Sequence, residues 1–226
     1  MVQVLNVMQL KINDLTFNIR EKSTDREVIE EVVKHKAYFH GDFMVKPKDI
    51  VIDIGAHIGS FSILASSLGG VVYSYEPFSD NFDLFKQNIE LNKALVYPHK
   101  LGVMEKRGER TLYIEDYNFG GTNFYNNSTG HRCLKQEEAL CITLEDIYKQ
   151  ENLTHCDFLK VDCQGAEAEI FRSFPYIQTL KRVALEYEGI ETFHELIKIF
   201  KGFNQILRIG NESGVLLFEN LSPISL

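Results

Sequence analysis

Two carboxylates flanking a glycine-rich turn are the residues of this chain best suited by type and spacing to hold a ligand. The run Val51-Ile52-Asp53-Ile54-Gly55-Ala56-His57-Ile58-Gly59 leads from an apolar segment into the turn, and Glu76 ends the next apolar segment, 23 residues after Asp53. Glycines after a strand let the backbone turn tightly and approach a ligand, and the helix that follows presents unpaired N–H groups. A carboxylate at the end of the second strand can accept both ribose hydroxyls of a nucleoside cofactor bound at the switch point of a parallel sheet. Dinucleotide sites bring a pyrophosphate to such a turn, which Asp53 would repel. The same carboxylate suits the ammonium of a methionine tail, or else it is a strand-end turn residue. With His57 in the middle of the turn, these features favour S-adenosylmethionine over NAD.

A second group stands further on. Asp162 ends the run Asp157 to Asp162, Lys160 lies two residues earlier on the same strand face, and Glu186 and Glu188 end the following run. Carboxylates at neighbouring strand ends can take a proton from an acceptor hydroxyl, or hold a divalent cation that lowers the pKa of that hydroxyl. Two carboxylates and waters would suffice for Mg²⁺, but the metal-free base is preferred and no metal ligand is assigned. Asp162, Glu186 and Lys160 are the catalytic candidates. Their structural alternatives are a helix cap for Asp162 and a buried ion pair for Lys160. His57 and His131 come next for the proton.

The elements that must position these groups follow from periodicity. Residues 10–20 alternate about Asn13-Asp14, a hairpin signal. Thr24 with Glu27 fits a capping box and opens a helix expected over 25–38. Strands at 50–54, 71–75 and 95–99 then alternate with helices at 60–67 and 81–91, the pattern of a parallel sheet with helices on both faces. A strand is expected at 111–114 and another at 140–143. Thr143 caps a helix over 143–150 with Asp146 at its third helical position. Strands at 157–162 and 182–188, helices from Ala166 and over 192–201, and a hairpin of 204–209 with 214–219 complete the chain. Such a doubly wound sheet closed by an antiparallel hairpin is the class I methyltransferase pattern. Residues 1–226 are expected to form one methyltransferase domain, with 1–45 as an N-terminal hairpin and helix packed on the core.

Between these strands, residues 115–135 make a long polar segment for a compact domain. Tyr117, Phe119, Phe124 and Tyr125 alternate there with Asn118, Asn123, Asn126, Asn127 and His131. Aromatic faces with amide and imidazole hydrogen bonders suit a sugar; an ordinary solvated loop is the other reading.

The chain has 226 residues, 44% hydrophobic and 25% charged, enough for an independent core. Its 24 basic and 32 acidic residues give a net charge of −8, which disfavours a nucleic-acid partner held by phosphate contacts. Cys133, Cys141, Cys156 and Cys163 include no CxxC pair and no zinc-like spacing, and read as free thiols of a reducing compartment. Without a signal-like start or an apolar run fit to span a membrane, a cytoplasmic protein is expected. The sequon at Asn126-Asn127-Ser128 then reads as chance.

Three stretches, VIDIGAHIGSFSILAS (51–66), YSYEPFSDNFDLFKQNIELN (73–92) and DFLKVDCQGAEAEIF (157–171), resemble the FkbM family of S-adenosylmethionine-dependent O-methyltransferases. The similarity spans roughly residues 20–190. It implies that Gly55, Ala56, His57, Gly59 and Ser60 line the methionine and ribose side of the cofactor, beside Asp53. It further implies that Glu76 and Pro77 meet the ribose, and that Phe78 and Leu101-Gly102-Val103 flank the adenine. The family usually carries Glu where this chain has Gln164, and often ends its fifth strand with His where this chain has Glu188. Family members act on sugar and polyketide hydroxyls. The amide-rich segment tilts the expectation to a sugar, as a glycan or nucleotide sugar. A polyketide or other small hydroxyl compound, or a non-catalytic cofactor-binding domain, is the alternative.

Overall fold

The computed structural model describes residues 6–115, 117–125 and 133–226. Asn126, Asn127 and His131, named above as acceptor-side candidates, lie outside the described residues.

Strands β1 (Val7–Ile12) and β2 (Leu15–Arg20) form the expected hairpin, with Ile12 opposite Leu15 across the two-residue turn at Asn13-Asp14. Asn13 takes φ +54°, a conformation asparagine tolerates. Phe17 and Ile19 of β2 are buried with Ile58, Ile63 and Leu84. The hairpin is also bolted to the core by amides: Asn88 Oδ1 accepts from Asn18 N at 2.6 Å while Asn88 Nδ2 donates to Ile58 O at 2.9 Å.

The next helix departs from expectation. Helix α1 (Asp25–Ile29) becomes a π-helical turn over Glu30–Lys34 and stops well short of residue 38. The Thr24 and Glu27 capping box does not form. Thr24 Oγ1 donates instead to Asn118 Oδ1 at 3.0 Å, and the Asp25 carboxylate is taken up by Arg20.

The core follows in β3 (Ile50–Ile54), α2 (Ser60–Ser67), β4 (Val71–Tyr75), α3 (Ser79–Asn92) and β5 (Val96–His99). After β6 (Gly102–Val103), strands β7 (Gly108–Glu115) and β8 (Cys133–Ile142) pair antiparallel, far longer than the two short strands read from the sequence. They shorten the expected loop at both ends. The capping box of α4 (Leu144–Gln150) is complete, with Thr143 and Asp146 bonded reciprocally. Strand β9 (Cys156–Val161) leads to a helix α5 of only four residues (Glu169–Arg172), then β10 (Leu180–Glu188), α6 (Ile190–Ile199), β11 (Asn204–Ile209) and β12 (Ser213–Glu219).

Seven strands make one sheet in the order β11-β12-β10-β9-β3-β4-β5, with β12 antiparallel to both neighbours and the other pairings parallel. The architecture is the class I methyltransferase fold expected above. Alternation along the central strands divides the core: Leu159, Val161 and Leu185 pack on one face, Val51, Phe158 and Ala184 on the other. The register sets Asp53 beside Lys160, and Lys160 beside Ala184. One pleat further, Asp162 and Glu186 therefore emerge side by side at the strand ends. Among the described residues no helix is long and apolar enough to cross a membrane.

Candidate active site

The turn after β3 is built from backbone. Gly55 N and Ala56 N both donate to Tyr75 O at 3.0 Å, tying the end of β3 to the end of β4. Gly55 has φ +78°, and a Cβ there would overlap the Asp162 carbonyl oxygen, so only glycine lets the two strand ends touch. His57 has φ +53°, uncommon for a side chain of its size. Its backbone N–H donates to Glu76 Oε2 at 2.8 Å, while Glu76 Oε1 accepts from Phe78 N at 2.9 Å and Asn81 Nδ2 at 3.4 Å. Glu76 is only 5% exposed. Burial outweighs those donors and raises its pKa to about 7.

Glu76 opens onto a cavity of about 300 Å³ at the carboxyl ends of the strands. That position is where open α/β sheets bind ligands. One side is Gly55, His57 and Asp162; another is Leu101, Gly102, Val103 and Phe124; Asn81 and the 118–122 segment close the third. Val28, Glu31, Val32 and Tyr38 border it from the N-terminal residues. The cavity walls hold buried polar atoms that no protein group satisfies: His57 Nδ1, Asn81 Oδ1 and Thr122 Oγ1. Such atoms are costly unless a ligand or water meets them. The chemistry of this set suits a nucleoside with an amino-acid tail, with Glu76 as an acceptor for ribose hydroxyls and Leu101, Gly102 and Val103 as an apolar wall.

At the other end stands a buried charge cluster. Lys160 Nζ lies 3.2 Å from Asp53 Oδ1 and 3.5 Å from Asp162 Oδ2, and donates to Gly55 O at 2.7 Å. Asp162 Oδ2 also accepts from Tyr38 Oη at 2.8 Å, and Oδ1 from Gln164 Nε2 at 3.0 Å. A side-chain hydrogen bond joins Asp162 to Glu186. Although burial alone would raise it, Lys160 and these donors hold the Asp162 carboxyl below the usual carboxylate range. Beside that charge, Glu186 is pushed well above it. The pair thus shares one proton near neutral pH. Asp162 itself stays 23% exposed to the cavity.

Several expected site residues lie elsewhere. Asp53 does not face the cavity; it is fully buried between Lys160 and Ser62 Oγ, which donates to its Oδ2 at 2.5 Å. Its strand face points at the Lys160 ammonium, so a second ammonium is not needed there. Lys160 likewise sits behind the cavity wall as an ion-pair partner. Ala56, Gly59, Ser60, Phe78 and Glu188 are not part of the lining, whereas Gly55, His57, Glu76, Pro77, Gly102, Val103, Asp162 and Glu186 are. Phe78 is enclosed with Phe119, Leu112 and Ile114 beneath the wall. Sequence reasoning missed Tyr38, Asn81 and the Arg20–Asp25 pair. Only Asn81 carried a local signal, being an amide five residues past Glu76. Segment 118–122, read as acceptor-side, instead borders the Glu76 end of the cavity. Among the described residues no group of three or more His, Cys, Asp or Glu is gathered in the manner of a metal site.

A model of the methyltransferase FkbM domain matches residues 53–208. No curated protein matches the chain. Among solved structures, a tRNA (uracil-54, C5)-methyltransferase of Pyrococcus abyssi in complex with S-adenosyl-L-homocysteine superposes with a TM-score of 0.52 at 12% identity, covering 94% of this chain and 43% of that one. This chain thus spans less than half of that enzyme's length. A SAM-dependent methyltransferase of Agrobacterium tumefaciens gives 0.50 at 12% identity, covering 96% and 72%. At these identities the likeness is one of fold.

Proposed function

This chain belongs to the methyltransferase FkbM domain family, and from that premise we propose that it transfers a methyl group from S-adenosylmethionine to a hydroxyl of an uncharged acceptor, a sugar of a glycan. The cofactor supplies an electrophilic methyl on a sulfonium. Glu76 takes the ribose hydroxyls, Gly55 and His57 border the amino-acid tail, and Gly102 and Val103 border the base. Asp162 orients the acceptor hydroxyl and receives its proton, a contribution of about 10²–10⁴ in rate for a well-placed base. Glu186 holds the spare proton of the pair, and Tyr38, Gln164 and Lys160 keep the Asp162 carboxylate in place.

The observation that carries this reading is the Asp162 carboxylate, held by Lys160, Tyr38 and Gln164 beside Glu186 and open to the same cavity as Glu76. The charge of the cavity supports the choice of acceptor. Glu31, Glu76, Asp162 and Glu186 line it, and among the described residues no Lys or Arg does. Phosphates would meet carboxylates there, which weighs against nucleic acid and against a nucleotide sugar as acceptor. Tyr38 and Gln164, beside Asp162, offer the neutral hydrogen bonders a sugar would use.

The experiment is methyl transfer from S-adenosylmethionine to a panel of neutral oligosaccharides, nucleotide sugars, polyols and RNA, read by mass spectrometry with and without a chelator. Chelator-resistant transfer to a neutral glycan, lost by about 10²-fold or more in Asp162→Asn with cofactor affinity kept, is expected. Transfer to nucleic acid alone, or an undiminished Asp162→Asn enzyme, overturns the reading.

A further inference from the structure

The Arg20–Asp25 pair lies outside the family match, yet it reaches the cofactor turn. Arg20 N and Nε donate to Asp25 Oδ2 at 2.8 and 2.9 Å, and Nη2 donates to Oδ1 at 2.8 Å. Both side chains are buried, at 6% and 0% exposure. The guanidinium also sits 4.2 Å above the Phe119 ring. The same Nη2 stands 3.1 Å from His57 Nε2, with Asp25 Oδ1 at 3.3 Å from that nitrogen. A guanidinium only donates. Of its two neighbours, Nε2 is nearer to this donor than to the Asp25 oxygen, and accepting from the guanidinium leaves the ring proton on Nδ1. That atom is the one with no protein partner, on a residue 7% exposed that lines the cavity.

We propose that Arg20 and Asp25 are positioning residues of the cofactor site: they hold His57 as its Nδ1–H tautomer, so that the ring presents a hydrogen-bond donor to an oxygen of the bound cofactor. The acceptor is the carboxylate of the amino-acid tail or a ribose oxygen, both within the chemistry assigned to this cavity, and the inference rests on that assignment. Asp25 serves by fixing the guanidinium, Oδ2 accepting from Arg20 N and Nε and Oδ1 from Nη2. The groups facing the ring are Asp25 and Arg20 from the N-terminal residues and Asp162 from the end of β9, while Glu76 bonds the His57 backbone. Burial lowers the pKa of His57, against the pull of Asp25, which keeps the ring uncharged and the tautomer meaningful.

The tautomer is read without any cofactor, by ¹⁵N chemical shifts and long-range couplings of the labelled imidazoles, with His57 assigned by its absence in His57→Asn. The expected result is a neutral Nδ1–H ring near neutral pH in the full chain. An Nε2–H ring, its proton turned to Asp25, overturns the proposal. Calorimetry with S-adenosylhomocysteine and with methylthioadenosine, which keeps the ribose and lacks the carboxylate, then tests the consequence. His57→Ala should weaken S-adenosylhomocysteine by about tenfold, and His57→Asn, an amide donor that tolerates positive φ, should restore it to within about threefold. Arg20→Gln, checked for an intact fold by its melting curve, should weaken it by about fivefold and mix the tautomers in the same spectra. A loss confined to S-adenosylhomocysteine assigns the carboxylate; an equal loss for methylthioadenosine assigns the ribose. Unchanged affinity in His57→Ala overturns the role of the ring. Failure of the wild-type protein to bind either compound overturns the cavity assignment instead, with the tautomer still measured.

Discussion

Lowering the pH from about 8 to about 6 should weaken cofactor binding through one side chain, Glu76. Its pKa is raised from 4.5 to about 7 because a buried carboxylate has lost most of its hydration. That shift makes the ionised form costlier than in water by about 3 kcal/mol, at roughly 1.4 kcal/mol per pKa unit. Ribose hydroxyls donate to the ionised form, so binding draws the pKa down and releases a proton. The sign follows: affinity rises with pH up to the free-state pKa and levels off above it. At about pH 6 roughly one Glu76 in ten is ionised, and the dissociation constant should be about tenfold larger than on the plateau. Titration calorimetry with S-adenosylhomocysteine in buffers of different ionisation enthalpy measures both the slope and the released proton. Glu76→Gln should bind weakly and lose the slope. A dissociation constant constant to within about twofold from pH 6 to 8, or an unchanged slope in Glu76→Gln, would refute the reasoning. Folding has the opposite sign. The folded chain keeps a proton that the unfolded chain gives up between 4.5 and about 7, so the Glu76 contribution to stability falls as pH rises through that window. Glu167, also raised to about 7 by burial, adds to the folding effect but does not line the cavity.

Other outcomes follow from the same geometry. Glu186→Gln keeps a neutral hydrogen-bond donor beside Asp162, and turnover should stay within about tenfold of wild type, since only Asp162 carries the charge; a loss matching Asp162→Asn would move the base to Glu186. Tyr38→Phe removes one donor to the Asp162 carboxylate, an interaction worth about 1.5–3 kcal/mol, and should lower kcat while S-adenosylhomocysteine affinity holds. Gly55→Ala drives a Cβ into the Asp162 carbonyl at φ +78° and should cost more than about 2 kcal/mol of stability, seen as a lower denaturant midpoint. An unmoved midpoint would mean the strand ends do not meet there.

Local signals in the sequence were enough for the frame of this protein. The alternation of short apolar runs with helical stretches dictated a parallel sheet, the Asn13-Asp14 turn gave its hairpin, and Thr143 with Asp146 closed their own box within one turn. Glu76 could be read as a ligand carboxylate because its place depends only on ending the second strand of a βαβ unit. What failed was whatever depended on residues far along the chain. Thr24 had the composition of a cap, but Asn118, 94 positions away, took the hydroxyl that would have made it. Strands β7 and β8 outgrew their local propensity because each completes the other's ladder. Asp53 stood at the right spacing for a ligand, yet strand register set Lys160 beside it and turned it into an ion pair. Tyr38, 124 positions from Asp162, carried no sign of its bond to that carboxylate. Periodicity and turn chemistry act over a few residues and survive in the one-dimensional order. Partnerships between buried polar side chains are chosen by register and packing, which exist only once the strands have paired.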